Sequence, residues 1–399
     1  MFIMNIRSIN LLLFEVISSI GSKIFSFACA FYILQHTETA SIYSIYLALI
    51  VISSIISQPL FGIWTDKYNN KKIIIISQII NITALILFIP LFNTYFYYII
   101  VLGIILNLTD GAISLIVNAN IKNISQDDME RFVSLRQTYS SGISFLAPII
   151  GGVLIAFISI QYLALLNVLT ESISILFIFF LTMDRVMVTS EKSLTEDFKE
   201  GFSYLFKNKI LLKFISIALI INFLINSIVV GIPVISIQTM KLSSQQFGIV
   251  ESSFTVGMFA VSLLFSVFPI KNKLKAPTQA AIGIQFIGVL TLGLALLFNL
   301  TSTTGFIILF VIYFVIGVSL PLVNIPYSIY MQNYIEENYK GRVFSLTQSI
   351  VQTLTPLSLL VFGLLLNYSQ SAVYLSVAIL ILLTLIYFSL SMKQSEIDN

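Results

Sequence analysis

Charge is scarce in this chain. Only 10% of its 399 residues are Asp, Glu, Lys or Arg, and 57% are apolar. Soluble domains carry about 25% charged residues, so a water-facing globular surface is excluded. Cysteine and histidine are nearly absent, with Cys29 and His36 the single examples. One thiol excludes an internal disulfide and a thiolate metal cluster. One imidazole leaves too few parts for a histidine metal site or a nucleophilic triad. No metal, cofactor or enzymatic constellation is therefore expected. Gly21-Ser22-Lys23 matches the end of a phosphate-binding loop, but the upstream glycine is missing, which excludes nucleotide binding there.

What the chain does have is apolar runs of about 20 residues, the length that crosses a bilayer core as helix. Strand barrels would show alternating segments of about 10 residues, and none occur. Lipid offers no hydrogen bonds to the backbone, so each run must be helical. Twelve spans are expected, at roughly 8–34, 41–61, 73–92, 95–119, 136–158, 161–183, 214–238, 246–270, 278–299, 303–330, 344–366 and 370–392. The first run has no small-residue cleavage site and is too long for a signal-peptide core, so it is expected to be retained.

Lysine and arginine set the orientation. All but Lys23 and Lys241 of the 21 basic residues fall in the termini or the loops of one side. Both termini are thus expected in the cytoplasm, with the chain multi-pass in the plasma membrane. The net charge of +3 reflects this topology and gives no sign of a nucleic-acid partner. His36 then lies beside Glu38 in a short external loop and reads as a solvated residue. Sixteen lysines against five arginines, with abundant Ile and Asn, point to an AT-rich bacterial genome.

Residues 184–213 form the one long polar stretch and read as a cytoplasmic linker. It divides the chain into two six-helix bundles, 1–183 and 214–399. The halves resemble each other: Arg131-Phe-Val-Ser134-Leu135-Arg-Gln137 aligns with Arg342-Val-Phe-Ser345-Leu346-Thr-Gln348, and without a gap Gly152 then meets Gly363. Polar identities at fixed spacing carry this match, because apolar segments align by chance. A parallel repeat of six helices places a transport site near the bilayer midplane where the repeats meet.

Between the second and third spans the chain reads Gly62-Ile-Trp-Thr-Asp66-Lys67-Tyr-Asn69-Asn-Lys71-Lys72. The fifth span contains Gln137, Tyr139, Ser140, Gly142 and Ala147-Pro148-Ile-Ile-Gly151-Gly152, and Gly341-Arg342 precedes the eleventh. On these motifs the chain resembles the major facilitator superfamily over nearly its full length. Within it, the chain is similar to the third drug–proton antiporter group, which holds macrolide, siderophore and peptide-antibiotic exporters. The resemblance implies an all-α fold of 12 transmembrane helices in two bundles. It also implies a conformational gate of Gly62, Asp66, Lys67, Lys71, Lys72, Gly341 and Arg342, with Arg131 or Arg136 as the basic partner of Asp66. Pro148, Gly151 and Gly152 would form the helix-5 motif enriched in exporters. A kink made for packing alone is the other reading of that proline. Asn69 stands where the family pattern has glycine, and Ala147 likewise. The fourth span carries no arginine, so a proton relay here cannot use one.

Five ionisable residues fall inside spans: Glu15, Lys23, Asp110, Glu171 and Glu251. Such residues usually face a cavity or a partner. A carboxyl removed from water can take and release a proton near neutral pH. Asp110 and Glu15, on helices that line the cavity in this family, are the candidates for proton coupling, with a fixed ion pair as the alternative for each. Lys23 and Glu171 are expected to pair. Glu251 is expected near the outer surface and wetted. Asn107, Asn118, Asn222, Asn226, Tyr313, Asn324 and Tyr327 are expected to line a substrate cavity, although intramembrane amides also serve as interhelical glue. A cavity rich in aromatics and poor in charge suits an amphipathic organic molecule. The expected function is secondary active, proton-coupled efflux of such a molecule. The partners would be that substrate, protons and membrane lipid, and the chain is expected to act as a monomer. Solute import or lipid transport by the same fold, and a membrane sensor without transport, are the alternatives.

Overall fold

The computed structural model describes residues 5–37, 39–125, 129–181, 202–268, 274–298, 300–335 and 337–391, without the side chains of 58–60, 62–63, 65–67, 122, 130, 209, 332, 334, 337–342 and 344–345. Helices follow one another as α1 (Ile6–Thr37), α2 (Ala40–Lys67), α3 (Asn70–Phe92), α4 (Tyr98–Ser125), α5 (Met129–Phe157), α6 (Ile160–Phe179) and α7 (Lys209–Val234). A π-helical turn, Ile235–Thr239, follows α7. Then come α8 (Ser244–Val267), α9 (Lys275–Ala295), α10 (Ser302–Tyr334), α11 (Glu337–Thr353), α12 (Thr355–Leu365) and α13 (Gln370–Ser391). Twelve helical stretches among the described residues are long and apolar enough to cross a membrane, α11 and α12 together supplying one.

Local chemistry explains the ends. Asn69, Asn208 and Thr301 cap α3, α7 and α10 by accepting from the backbone N–H three residues on, which satisfies one of the orphan donors of a helix start. Pro356 sits at the first turn of α12, where its missing N–H costs nothing. The fifth helix starts at Met129 rather than at residue 136, because Arg131 and Arg136 do not interrupt the helical pattern. Arginines near a helix end extend their charged heads toward the interface while the backbone stays helical.

The chain divides into two compact units. The first is Met1–His36, Leu49–Thr189 and Ser243–Ser252; the second is Thr37–Ala48, Ser190–Leu242 and Ser253–Asn399. A division at the linker would keep each half whole, whereas here one short segment of each half belongs to the other unit. Inside the first unit, α8 lies hard against α5: Gly248 abuts the Pro148 carbonyl, Gly152 abuts the Ser244 carbonyl, and the Ser252 hydroxyl donates to the Phe145 carbonyl at 2.8 Å. Inside the second, Gly363 abuts Ser44, and the Asn367 carboxamide accepts from the Ala40 N–H at 3.1 Å.

Each unit has its own apolar core. Leu11, Phe14, Ile74, Ile116 and Phe132 belong to the first, and Leu211, Ile215, Met331 and Val343 to the second. α3 shows the solvent for which the fold is built. It buries Gln78 and Asn81 and exposes Ile76, Ile79, Ile80, Ile86 and Leu87. A polar inside and an apolar outside is the arrangement that lipid favours.

Candidate functional site

Two charged groups lie inside the first unit. The first joins α1, α4 and α5. The Arg136 guanidinium donates through Nε to both Glu15 oxygens at 2.9 Å and through Nη2 to Oε1 at 2.7 Å. The Tyr139 hydroxyl donates to Glu15 Oε2 at 2.5 Å, and Arg136 Nη1 reaches the Asn118 carbonyl oxygen at 2.5 Å. Bidentate arginine–carboxylate pairing is among the stronger contacts available to a protein. Arg136 was expected in a loop as a partner for Asp66. It lies instead on α5 with Glu15 as its partner, because α5 begins early enough to carry it up against α1. Glu15 is correspondingly held in an ion pair, and Asn118 is tied to that pair.

The second group joins α1, α3, α4 and α6. The Asn81 amide donates to Asp110 Oδ1 at 3.2 Å, while its oxygen accepts from Thr109. Glu171 is only 1% exposed. It accepts from Ser18 at 2.9 and 3.1 Å, from Gln78 at 2.7 Å and from Ser174 at 3.5 Å. Lys23 and Glu171 were expected to pair. Among the described residues no ion pair joins them, the Lys23 side chain is exposed, and hydroxyl and amide donors take the place of the ammonium. Gln78 and Asn81 went unremarked in the sequence. Their spacing of three, on one face of an otherwise apolar helix, was the available signal.

The neutral polar residues divide by role. Asn107 on α4 accepts from Ser53 at 3.0 Å and Ser54 at 2.6 Å, both on α2. Asn226 donates to Asn222 at 3.3 Å and to Ser358 at 2.8 Å, and Thr355 donates to Asn222 at 3.1 Å. These bonds tie α2 to α4 and α7 to α12, which is the work of interhelical glue. Tyr327 stacks on Phe214 with centroids 4.8 Å apart, and Tyr313 packs at 5.0 Å from Phe254. Asn324 on α10 is exposed.

Pro148 lies inside a continuous α5. A side chain at Gly151 would collide with Phe27, and one at Gly152 with the Ser244 backbone, so the motif serves close helix approach. Glu251 departs from expectation. Its Oε1 is buried with no hydrogen-bond partner among the described residues, on the α8 segment packed against α5. Of the gate, the side chains of Gly62, Asp66, Lys67, Gly341 and Arg342 lie outside the described residues. Lys71 donates to the Phe179 carbonyl at 2.8 Å, closing the end of α6, and Lys72 and Arg131 are exposed.

The profile of the Major Facilitator Superfamily matches residues 11–358. The chain belongs to this superfamily of membrane transporters. Among its relatives, macrolide efflux protein A of Streptococcus pyogenes is 23% identical over 363 residues, covering 88% of this chain and 87% of that protein. The uncharacterized MFS-type transporter YfmI of Bacillus subtilis is 22% identical over 391 residues, covering 95% and 94%. The crystal structure of the nucleoside transporter NupG superposes with a TM-score of 0.75 at 16% identity, covering 97% and 98%. That of a D-xylose–proton symporter gives 0.69 at 13% identity, covering 96% of each chain. At such identities the solved structures establish the shared fold alone. The superfamily transporter is therefore a multi-pass, all-α membrane protein that moves small molecules and is not an enzyme.

Proposed function

We propose that this transporter exports an amphipathic small molecule of drug, antibiotic or metallophore type across the bacterial plasma membrane, in exchange for protons, with both termini in the cytoplasm. Export is supported by the relatives named for macrolide efflux. The observation that carries proton coupling is the group of Asp110 and Glu171, held by the neighbouring α3 amides Asn81 and Gln78. With both ionised it holds two anions inside the bilayer region. Uncompensated charge is costly in a medium of low polarity, and a single proton on either carboxyl halves it. Asp110 is the better carrier, since among the described residues it is held by one long bond from the Asn81 amide, whereas Glu15 is gripped by Arg136. Asp66, at the end of α2, is assigned the gating role that its motif implies.

The test is expression in an efflux-deficient bacterial host, with accumulation measured for macrolides, dyes and metallophores. Lower accumulation of at least one compound, reversed by a protonophore, is the expected result. Unchanged accumulation across the panel would sink the export reading. A protonophore-insensitive decrease would sink the coupling.

A further inference from the structure

A groove of about 790 Å³ opens along the outer side of the first unit, between α2, α3 and α4. Lys72 apart, which belongs to the gate motif, none of the residues given a transport role lines it. Its floor and walls are apolar, with Ile76, Ile80 and Leu108 along them, and Trp64 and Tyr68 form one rim. The two rings lie edge to face, with centroids 6.5 Å apart, and both are about half exposed. Ile76 and Ile80 also belong to the exposed apolar face of α3, so the groove is open toward the hydrocarbon.

At the mouth stands Lys72, the single charge among the described lining residues. Its neighbour Lys71 is engaged at the end of α6, but the Lys72 ammonium has no hydrogen bond or ion pair among the described residues. Lys72 also lies in the first turn of α3, whose N–H groups add partial positive charge. From Lys72 to Ile80 the helix rises about 12 Å at 1.5 Å per residue. That is most of one leaflet of a core about 30 Å thick. Tryptophan and tyrosine at the rim are the residue types that settle at headgroup depth.

The geometry points to a binding site for one anionic glycerophospholipid, its phosphate on Lys72 and one acyl chain lying along Ile76, Ile80 and Leu108. A zwitterionic lipid offers the same chain and no net charge, so selectivity resides in Lys72. This inference stands apart from the direction of transport and from its coupling.

Trp64 is the only tryptophan in the chain, so its emission reports the groove alone. The full chain is reconstituted in phosphatidylcholine vesicles containing a small fraction of chain-brominated lipid, either phosphatidylglycerol or phosphatidylcholine. Contact of the brominated chain with Trp64 quenches emission. The expected result is an apparent association about fivefold stronger for the glycerol lipid, the factor one lysine provides at an anionic surface. Lys72→Gln should bring the two lipids to parity. Ile76→Phe, which narrows the groove and leaves Lys72 in place, should weaken quenching by both. Equal quenching in the wild type would reduce the groove to ordinary annular contact and overturn the site. Selectivity that survives Lys72→Gln, or quenching untouched by Ile76→Phe, would overturn it as well. Loss of selectivity on adding soluble glycerol phosphate would mark a site for free phosphate and overturn the lipid assignment.

Discussion

Arg136 holds both oxygens of the Glu15 carboxylate, at 2.9 Å from Nε and 2.7 Å from Nη2, and thereby fastens α5 to α1. Their side chains are 21% and 11% exposed, so the pair is largely withdrawn from solvent. Removing one partner strands the other charge, which costs on the order of 3 kcal/mol in buried pairs. Glu15→Gln and Arg136→Gln should each lower the thermal unfolding midpoint in detergent. The double variant should cost clearly less than the two losses added together. Strict additivity would show that the two residues act independently.

Asp110→Asn should abolish accumulation driven by a pH gradient in inverted vesicles while leaving substrate exchange at equal pH. The amide keeps the size and the hydrogen bond to Asn81 but fixes the protonation state. Rates are normalised to folded protein, since a merely structural acid would lower abundance and not rate per molecule. Undiminished gradient-driven accumulation would remove Asp110 from coupling.

Gly248 and Gly142 make a matched test of helix approach. A side chain at Gly248 would strike the Pro148 carbonyl, whereas nothing lies within 4 Å of a Cβ at Gly142. Gly248→Ala should therefore destabilise the protein by overpacking, by about 1–3 kcal/mol. Gly142→Ala should stabilise it by about 0.5–1 kcal/mol through helix propensity. Equal effects in a thermal-shift assay would contradict the close packing of α8 on α5.

Glu251 offers a stability gain. Its buried Oε1 has no partner among the described residues, and an unmade hydrogen bond of this kind costs about 1–3 kcal/mol. Glu251→Met, of similar length and without the carboxyl, should raise the unfolding midpoint. A lowered midpoint would mean that the carboxyl is satisfied in the membrane. A raised midpoint with lost transport would show that the destabilising acid is retained for function.

Asp66→Asn should leave insertion and abundance unchanged and cut transport at least tenfold, as expected of an acid that locks one state of the gate. Normal transport at normal abundance would strike Asp66 from the mechanism.

The sequence by itself determined the class of this protein. Runs such as Ile73–Ile76 and Leu211–Ile221 are too apolar for water, lipid leaves a helix as their solution, and the polar loop motifs mark the superfamily. It also singled out Glu15, Lys23, Asp110, Glu171 and Glu251, since a charge inside a span is conspicuous in one dimension. Which charge meets which was decided only in three dimensions. Arg136 is 121 residues from Glu15 in the chain, and Glu171 lies 93 from Gln78 and 153 from Ser18. Periodicity assigns a residue to a face of its own helix and says nothing of the helix opposite. Arg136 looked like loop because a charge near a span edge fits water as well as it fits a partner. The choice fell to α1 packing within reach of its guanidinium. The same holds for the asparagines. Asn222 and Asn226 look alike as cavity lining and as glue, until Ser358 and Thr355 stand opposite them and accept the second role.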